Sequence, residues 1–257
     1  MAEPLMSVRG LTKRFGGLVA VNNLDFDLEE GEILGIIGPN GAGKSTLFNL
    51  LCGFLRPSNG EIRFKGENLV GLRPDRIVAQ GLTKTFQSND VLFGEMTVQE
   101  QVMMGFHRHR KTGLWQALLN TRSYQEEEEA VLKRTTEVLE RLRLSAWRDA
   151  AASSLPAGCK RALGIATALA ANPRLLLLDE PVSGINVNDA QILLDTIRAM
   201  RDNDGLTILI VEHHMKAIHE LCDRVIVLNF GTKIAEGSSE EVVKDEKVIE
   251  AYLGAPD

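Results

Sequence analysis

Aromatic residues make up only 5% of the chain, and three cysteines are spread through its 257 residues. Cys52, Cys159 and Cys222 are widely spaced, odd in number and form no CxxC pair. A disulfide framework is therefore not expected, and the usage fits a reducing compartment. No apolar run approaches the ~18 residues that a membrane-spanning helix needs. The tightest run is the four leucines at 175–178. The opening residues carry an acid at Glu3 and no apolar core, so no secretory leader is expected. A basic excess is missing too: 29 Lys+Arg stand against 35 Asp+Glu, a net charge of −6. That balance gives no footing to a general binder of nucleic acid or anionic membrane. No internal repeat and no low-complexity linker is found.

What is present is ordinary globular material, 44% hydrophobic and 25% charged. The length fits one large domain or two small ones. Val19, Val21, Leu24, Phe26 and Leu28 alternate with polar residues as in a half-buried strand. Residues 32–37 form an apolar strand ending at Gly38, and a helical pattern opens at Lys44. Pro57-Ser58-Asn59-Gly60 is a turn, followed by a strand over 61–65. From about 96 to 171 the periodicity is helical. One long helix is expected over 124–144, with Val131, Leu132, Val138, Leu139 and Leu142 on its apolar stripe. Strands at 174–178, 206–211 and 224–229 then alternate with helices at 189–201 and 213–222. This alternation predicts an α/β fold with a mostly parallel sheet core, an N-terminal antiparallel β part and an inserted α-helical subdomain. The expected core is 1–94 and 166–257, and the expected helical insert is 95–165.

Gly38-Pro39-Asn40-Gly41-Ala42-Gly43-Lys44-Ser45 fits G-x-x-x-x-G-K-[ST], after a strand and at the start of a helix. Glycines let the backbone curl so that several N–H groups converge on one anion. The helix start adds roughly +0.5 of an elementary charge. Lys44 is expected to reach the β- and γ-phosphates of a nucleotide, and the Ser45 hydroxyl to ligate Mg²⁺, with Thr46 completing the phosphate-binding run. The strand at 175–178 ends in Asp179-Glu180. Ligands of parallel sheets sit at the carboxyl ends of strands. Asp179 is therefore a candidate to hold hydrated Mg²⁺, and Glu180 to orient or deprotonate the attacking water.

These elements, with Leu155-Pro156-Ala157-Gly158-Cys159-Lys160-Arg161, resemble the ATP-binding subunit of ABC transporters, a P-loop NTPase of the ABC ATPase type. The likeness spans nearly the whole chain. It is narrower for the G-type ATPase of branched-chain amino acid importers, through Arg14-Phe15-Gly16-Gly17-Leu18, Thr85-Phe86-Gln87, Lys111-Thr112-Gly113-Leu114, Glu212-His213-His214-Met215 and Ala251-Tyr252-Leu253-Gly254. The resemblance implies that Phe15 stacks on adenine, that Gln87 touches Mg²⁺ and links the site to the helical insert, and that His213 is the switch histidine at the γ-phosphate. Pro156, Ala157, Gly158 and Cys159 fill the signature that faces a partner's ATP. That signature commonly reads Leu-Ser-Gly-Gly-Gln, and here its serine and glutamine are absent. What survives is Gly158 and a helix N-terminus, with Pro156 suited to a first helical turn. Asn186 stands where many relatives carry Asp.

The implied activity is ATP hydrolysis driving uptake of branched-chain or other small amino acids. The implied partners are a second ATPase of this kind, or the chain itself, in a head-to-tail dimer, two membrane-spanning permease subunits and, indirectly, a substrate-binding protein, with no nucleic acid. Strong catalytic elements beside an atypical signature favour an asymmetric heterodimer. The implied place is the cytoplasmic face of a bacterial or archaeal membrane. The rival readings are a soluble ABC ATPase in a non-transport assembly and a non-hydrolysing nucleotide-binding regulator. The basic stretch at 107–111 lacks interleaved aromatics and reads as a solvated loop. Cys159, at a helix start, reads as a small replacement rather than a redox thiol. Replacing Glu180 with Gln is expected to preserve ATP binding and to cut turnover about 10²–10⁴-fold; unchanged turnover would assign the water to another group.

Overall fold

The computed structural model describes residues 3–85, 95–106 and 121–253. The chain forms two compact units, one of Met1–Lys84, Arg174–Ser183 and Ile197–Asp257, the other of Thr85–Pro173 and Gly184–Thr196.

The first unit holds both sheets. Strands β1 (Met6–Phe15), β2 (Leu18–Leu28), β4 (Asn59–Phe64) and β5 (Glu67–Asn68) form an antiparallel sheet in the order β2-β1-β4-β5. Met6 and Val8 alternate inward, and the ladder then slips between Val8 and Leu11, so that Leu11 is buried as well. The slip sits where Gly10 and, on the facing strand, Asn23 take φ of 56° and 45°. Alternation alone would have sent one of these residues to solvent.

The second sheet comprises β3 (Ile33–Ile37), β6 (Leu82–Lys84), β7 (Leu175–Asp179), β8 (Thr207–Val211), β9 (Arg224–Asn229) and β10 (Thr232–Gly237), in the order β10-β9-β3-β8-β7-β6. Every pairing is parallel except the β9–β10 hairpin. All five residues of β3, of β7 and of β8 are buried, as strands covered on both faces must be. The register sets Ile36 between Val211 and Ile226, and Asp179 beside Val211. The carboxyl ends of β3, β8 and β7 thus share one edge. Helix α1 (Lys44–Leu51) turns Leu47, Phe48, Leu50 and Leu51 into a core with Met6, Leu34, Phe64 and Leu209. Helices α2 (Pro74–Gln80), α7 (Met215–Leu221), α8 (Ser239–Val242) and α9 (Glu246–Leu253) complete this unit. The helix expected from His213 starts two residues later, with His214 as its N-cap.

The second unit is helical: α3 (Val98–Gly105), α4 (Arg122–Arg141), α5 (Ala157–Ala170) and the start of α6 (Val187–Asp204), whose later turns belong to the first unit. A capping box, Thr97 with Glu100, opens α3. The stripe of α4 differs from the expected one. Val131, Thr135 and Leu139 are buried at i, i+4 spacing, with Leu142 just beyond, while Leu132 is exposed. Thr135 joins the stripe because its hydroxyl donates to Val131 O at 2.8 Å and leaves no unmet polar group.

Gly105 allows α3 to approach α5: a Cβ there would lie 2.5 Å from Thr167 O and 2.6 Å from Ala170 Cβ. Gly105→Val is expected to lower the unfolding free energy by about 1–3 kcal/mol, read as a midpoint shift in urea. An unchanged midpoint would mean that the two helices part without loss.

Candidate functional site

Strand β3 runs directly into the glycine-rich loop. Gly38, Gly41 and Gly43 have φ of 149°, 81° and 102°. At two of them no side chain fits: a Cβ on Gly38 would lie 2.1 Å from Leu228 O, and one on Gly43 2.4 Å from Ala20 O. The loop is tied down further. Ala42 N–H donates to Pro39 O at 3.1 Å, Gly231 N–H to Ala42 O at 2.9 Å, and Asn22 N–H to Gly231 O at 2.8 Å. Asn40, Gly41 and Ser45 are exposed, Pro39, Gly43 and Thr46 partly so. The opening turn of α1 leaves its first N–H groups without intrahelical acceptors, next to this exposed backbone. Lys44 is nearly buried and donates to Gly38 O at 2.6 Å and Pro39 O at 3.0 Å. Burial holds its amine below the usual range, against the opposing pull of Glu180 and Asp179. Phe15, at the end of β1, is 45% exposed, with Lys13 Nζ 5.0 Å from its ring centroid. It is not a core phenylalanine.

The acidic edge lies two strands from β3. Asp179 ends β7, buried, and pairs with Lys84 Nζ at 3.0 Å. Lys84 ends the neighbouring β6 and also lies over the Phe48 ring, 5.6 Å from its centroid. Glu180 follows with φ of 48°, and its N–H donates to Val211 O at 2.9 Å. A glutamate in the left-handed region stores about 1–3 kcal/mol of strain. His213 Nδ1 lies 3.7 Å from Glu180 Oε1. His213 and His214 are about equally exposed, and their rings are 4.2 Å apart. His214 Nδ1 turns back to Glu212 Oε2 at 3.2 Å, while His213 faces Glu180.

Glu212 is fully buried, and both of its oxygens are engaged. Oε1 accepts from Val182 N–H at 3.0 Å; Oε2 accepts from His213 N–H at 3.1 Å and His214 N–H at 3.4 Å. Three residues at this edge were not read from the sequence as functional: Glu212, Lys84 and Tyr252, whose phenol is pushed up by burial against the opposing pull of the Gly38 N–H. An acid directly after an apolar strand was the available signal for Glu212.

In the second unit, Pro156 is the N-cap of α5, one position before the first turn in which it was expected, and no side chain caps that helix. A Cβ on Gly158 would lie 2.6 Å from Asp189 Oδ2. Asp189 is held by Asn186, whose Nδ2 donates to Oδ2 at 2.8 Å and whose Oδ1 accepts from Asp189 N–H at 2.9 Å. The amide at 186 therefore makes both bonds of a helix-capping clasp. Burial, then Asp189, pushes the Cys159 thiol up, opposite to the activation a helix start could give. Burial pushes the Cys52 thiol up to about 12. Gln87, Phe86, the stretch 107–114 and Gly254 lie outside the described residues.

A family model described as "ABC transporter" matches residues 21–183, and one described as "Branched-chain amino acid ATP-binding cassette transporter" matches residues 232–257. The chain is 42% identical over 254 residues to the high-affinity branched-chain amino acid transport ATP-binding protein LivG of Salmonella typhimurium, covering 99% of each. It is 39% identical to BraF of Pseudomonas aeruginosa, again over 99% of each chain. The probable LivG of Archaeoglobus fulgidus is 32% identical, over 98% of this chain and 96% of its own. Among solved structures, the ADP conformation of an ATP-binding cassette of an ABC transporter superposes with a TM-score of 0.85 at 31% identity, over 99% of this chain and 100% of that one. Phe15→Ala is expected to weaken nucleotide binding by about 1–3 kcal/mol while turnover at saturation is retained. Titration with a fluorescent ATP analogue checks it, and unaltered affinity would remove Phe15 from the site.

Proposed function

Since this chain belongs to the ABC transporter family of ATP-binding proteins, we propose that it is the ATP-hydrolysing subunit of an importer for branched-chain amino acids. The observation that carries the reading is full-length similarity to LivG at 42% identity, together with one sheet edge bearing Lys44, Asp179, Glu180 and His213. The chain is an ATPase of this family; the cargo is carried over from its relatives' names.

The roles follow from the chemistry of the groups. The loop over 38–46 wraps the phosphates with backbone N–H groups, and Lys44 exchanges its bonds to Gly38 O and Pro39 O for phosphate oxygens. Phe15 offers an exposed ring to the adenine. The donors fit Mg²⁺: an exposed hydroxyl at Ser45, a carboxylate at Asp179 and, by resemblance, the Gln87 amide are hard oxygen ligands. When bound, Mg²⁺ neutralises charge on the phosphates. Lys84 yields Asp179 to that role. Glu180 orients the attacking water and takes its proton, and His213, 3.7 Å from Glu180, holds the γ-phosphate end.

Pro156, Ala157, Gly158 and Cys159 face the nucleotide of a second cassette in a head-to-tail dimer. Without a serine hydroxyl they act through backbone and helix dipole. Permease subunits supply the membrane span, since among the described residues no helix is long and apolar enough to cross a membrane. The chain sits on the cytoplasmic face of the cell membrane as a peripheral subunit, and a substrate-binding protein delivers the cargo to the permease. Affinity purification from the membranes of its own cells, followed by mass spectrometry, tests this. Recovery of two polytopic proteins and a second cassette is expected; soluble partners alone would overturn the importer reading and leave the ATPase standing.

A further inference from the structure

We infer that Glu212 is a positioning residue that fixes the distance between Glu180 and His213, through one buried carboxylate bonded to the loops carrying both. The inference rests on the ATP-hydrolysing reading of this site. Val182 lies two residues after Glu180, and its N–H donates to Oε1 at 3.0 Å. His213 follows Glu212 directly, and its N–H donates to Oε2 at 3.1 Å. The two oxygens of a single group thus hold two loops that leave adjacent parallel strands, β7 and β8. The turn after Glu180 closes through Ser183 N–H to Glu180 O at 3.2 Å, and Glu180 N–H is pinned to Val211 O at 2.9 Å. Glu180 is therefore tied to the β8 end on both sides of its own Cα. Its φ of 48° is a conformation that persists only where the surroundings enforce it. The Glu212–Val182 bond is part of that enforcement.

Only a carboxylate can do this. It accepts at both oxygens, whereas the amide of glutamine accepts at one and presents N–H groups at the other. In whichever orientation Gln settles at 212, one loop loses its acceptor and meets a donor instead. A fully buried site offers no water to take the acceptor's place. Glu212 is fully buried and acts through Glu180 and His213. The ligand-type atoms of Glu212, His213 and His214 lie within 4.8 Å of one another. With both Glu212 oxygens already accepting hydrogen bonds, positioning describes the group better than metal binding.

Glu212→Gln in the full chain is expected to lower kcat about ten- to a hundredfold, the size of losing one hydrogen bond to a charged group. KM and the affinity for a fluorescent ATP analogue should stay within about twofold, because Lys44 and the loop over 38–46 are untouched. Combined with His213→Ala, its effect should be far from additive. Wild-type kcat in a folded E212Q, even with a lowered Tm, would overturn the inference and make Glu212 structural only. Absence of ATPase activity in the wild-type chain with its partners would instead overturn the functional reading. Should E212Q not fold, amide exchange on the wild type decides. Val182 and His213 amides exchanging with a common slow rate support the shared anchor; fast, independent exchange of either overturns it.

Discussion

The site depends on the parallel pairing of β3 with a strand on each side. Ile36 lies between Val211 and Ile226, so the strand that delivers the phosphate loop is clamped by β8 and β9. Because β7 pairs with β8 in the same direction, Asp179 reaches the same edge. The glycine-rich loop lies more than a hundred residues before the acid pair and the histidines, yet three hydrogen-bond ladders place all of them together. The ladders hold because the strands are buried on both faces, where an unpaired backbone group has no water to turn to.

Charge at that edge is balanced locally. Lys44 rests on two loop carbonyls, Lys84 on Asp179, and Glu212 on three backbone N–H groups and a histidine ring. Buried ion pairs contribute little net stability, since desolvation offsets the attraction. Their value here is positional: each keeps a charged group ready at a defined place. On the proposed reading of the site, binding exchanges partners rather than stripping water from bare charges. Phe15, Asn40 and Ser45, by contrast, are exposed.

Much of this was legible in the sequence where a local rule controls the outcome. The run from β3 through Gly38 to α1 is legible from glycine spacing, and β7 from four leucines ahead of two acids, because both patterns are set by neighbours in the chain. The slip in β1 and β2 was not, since it depends on how Gly10 and Asn23 meet across strands. Thr135 was passed over in the stripe of α4 because a hydroxyl reads as polar until its own carbonyl partner is seen. Glu212 was read only as part of a motif, because its two contacts lie in different loops and no spacing rule joins Val182 to it. Likewise the clasp between Asn186 and Asp189 gives the amide at 186 a use that a missing charge did not suggest.

The phosphate loop is shaped by residues that come much later in the chain. Leu228 O closes over Gly38, and Gly231 anchors Ala42, whereas the motif itself ends at Ser45. On the ribosome, therefore, the motif emerges long before the walls that give it its form. A nascent chain with its first two hundred residues made holds every letter of the phosphate-binding signature and none of β8, β9 or the 228–231 turn. The loop over 38–45 takes its final form only after synthesis has passed residue 231, when Leu228 and Gly231 are there to close it.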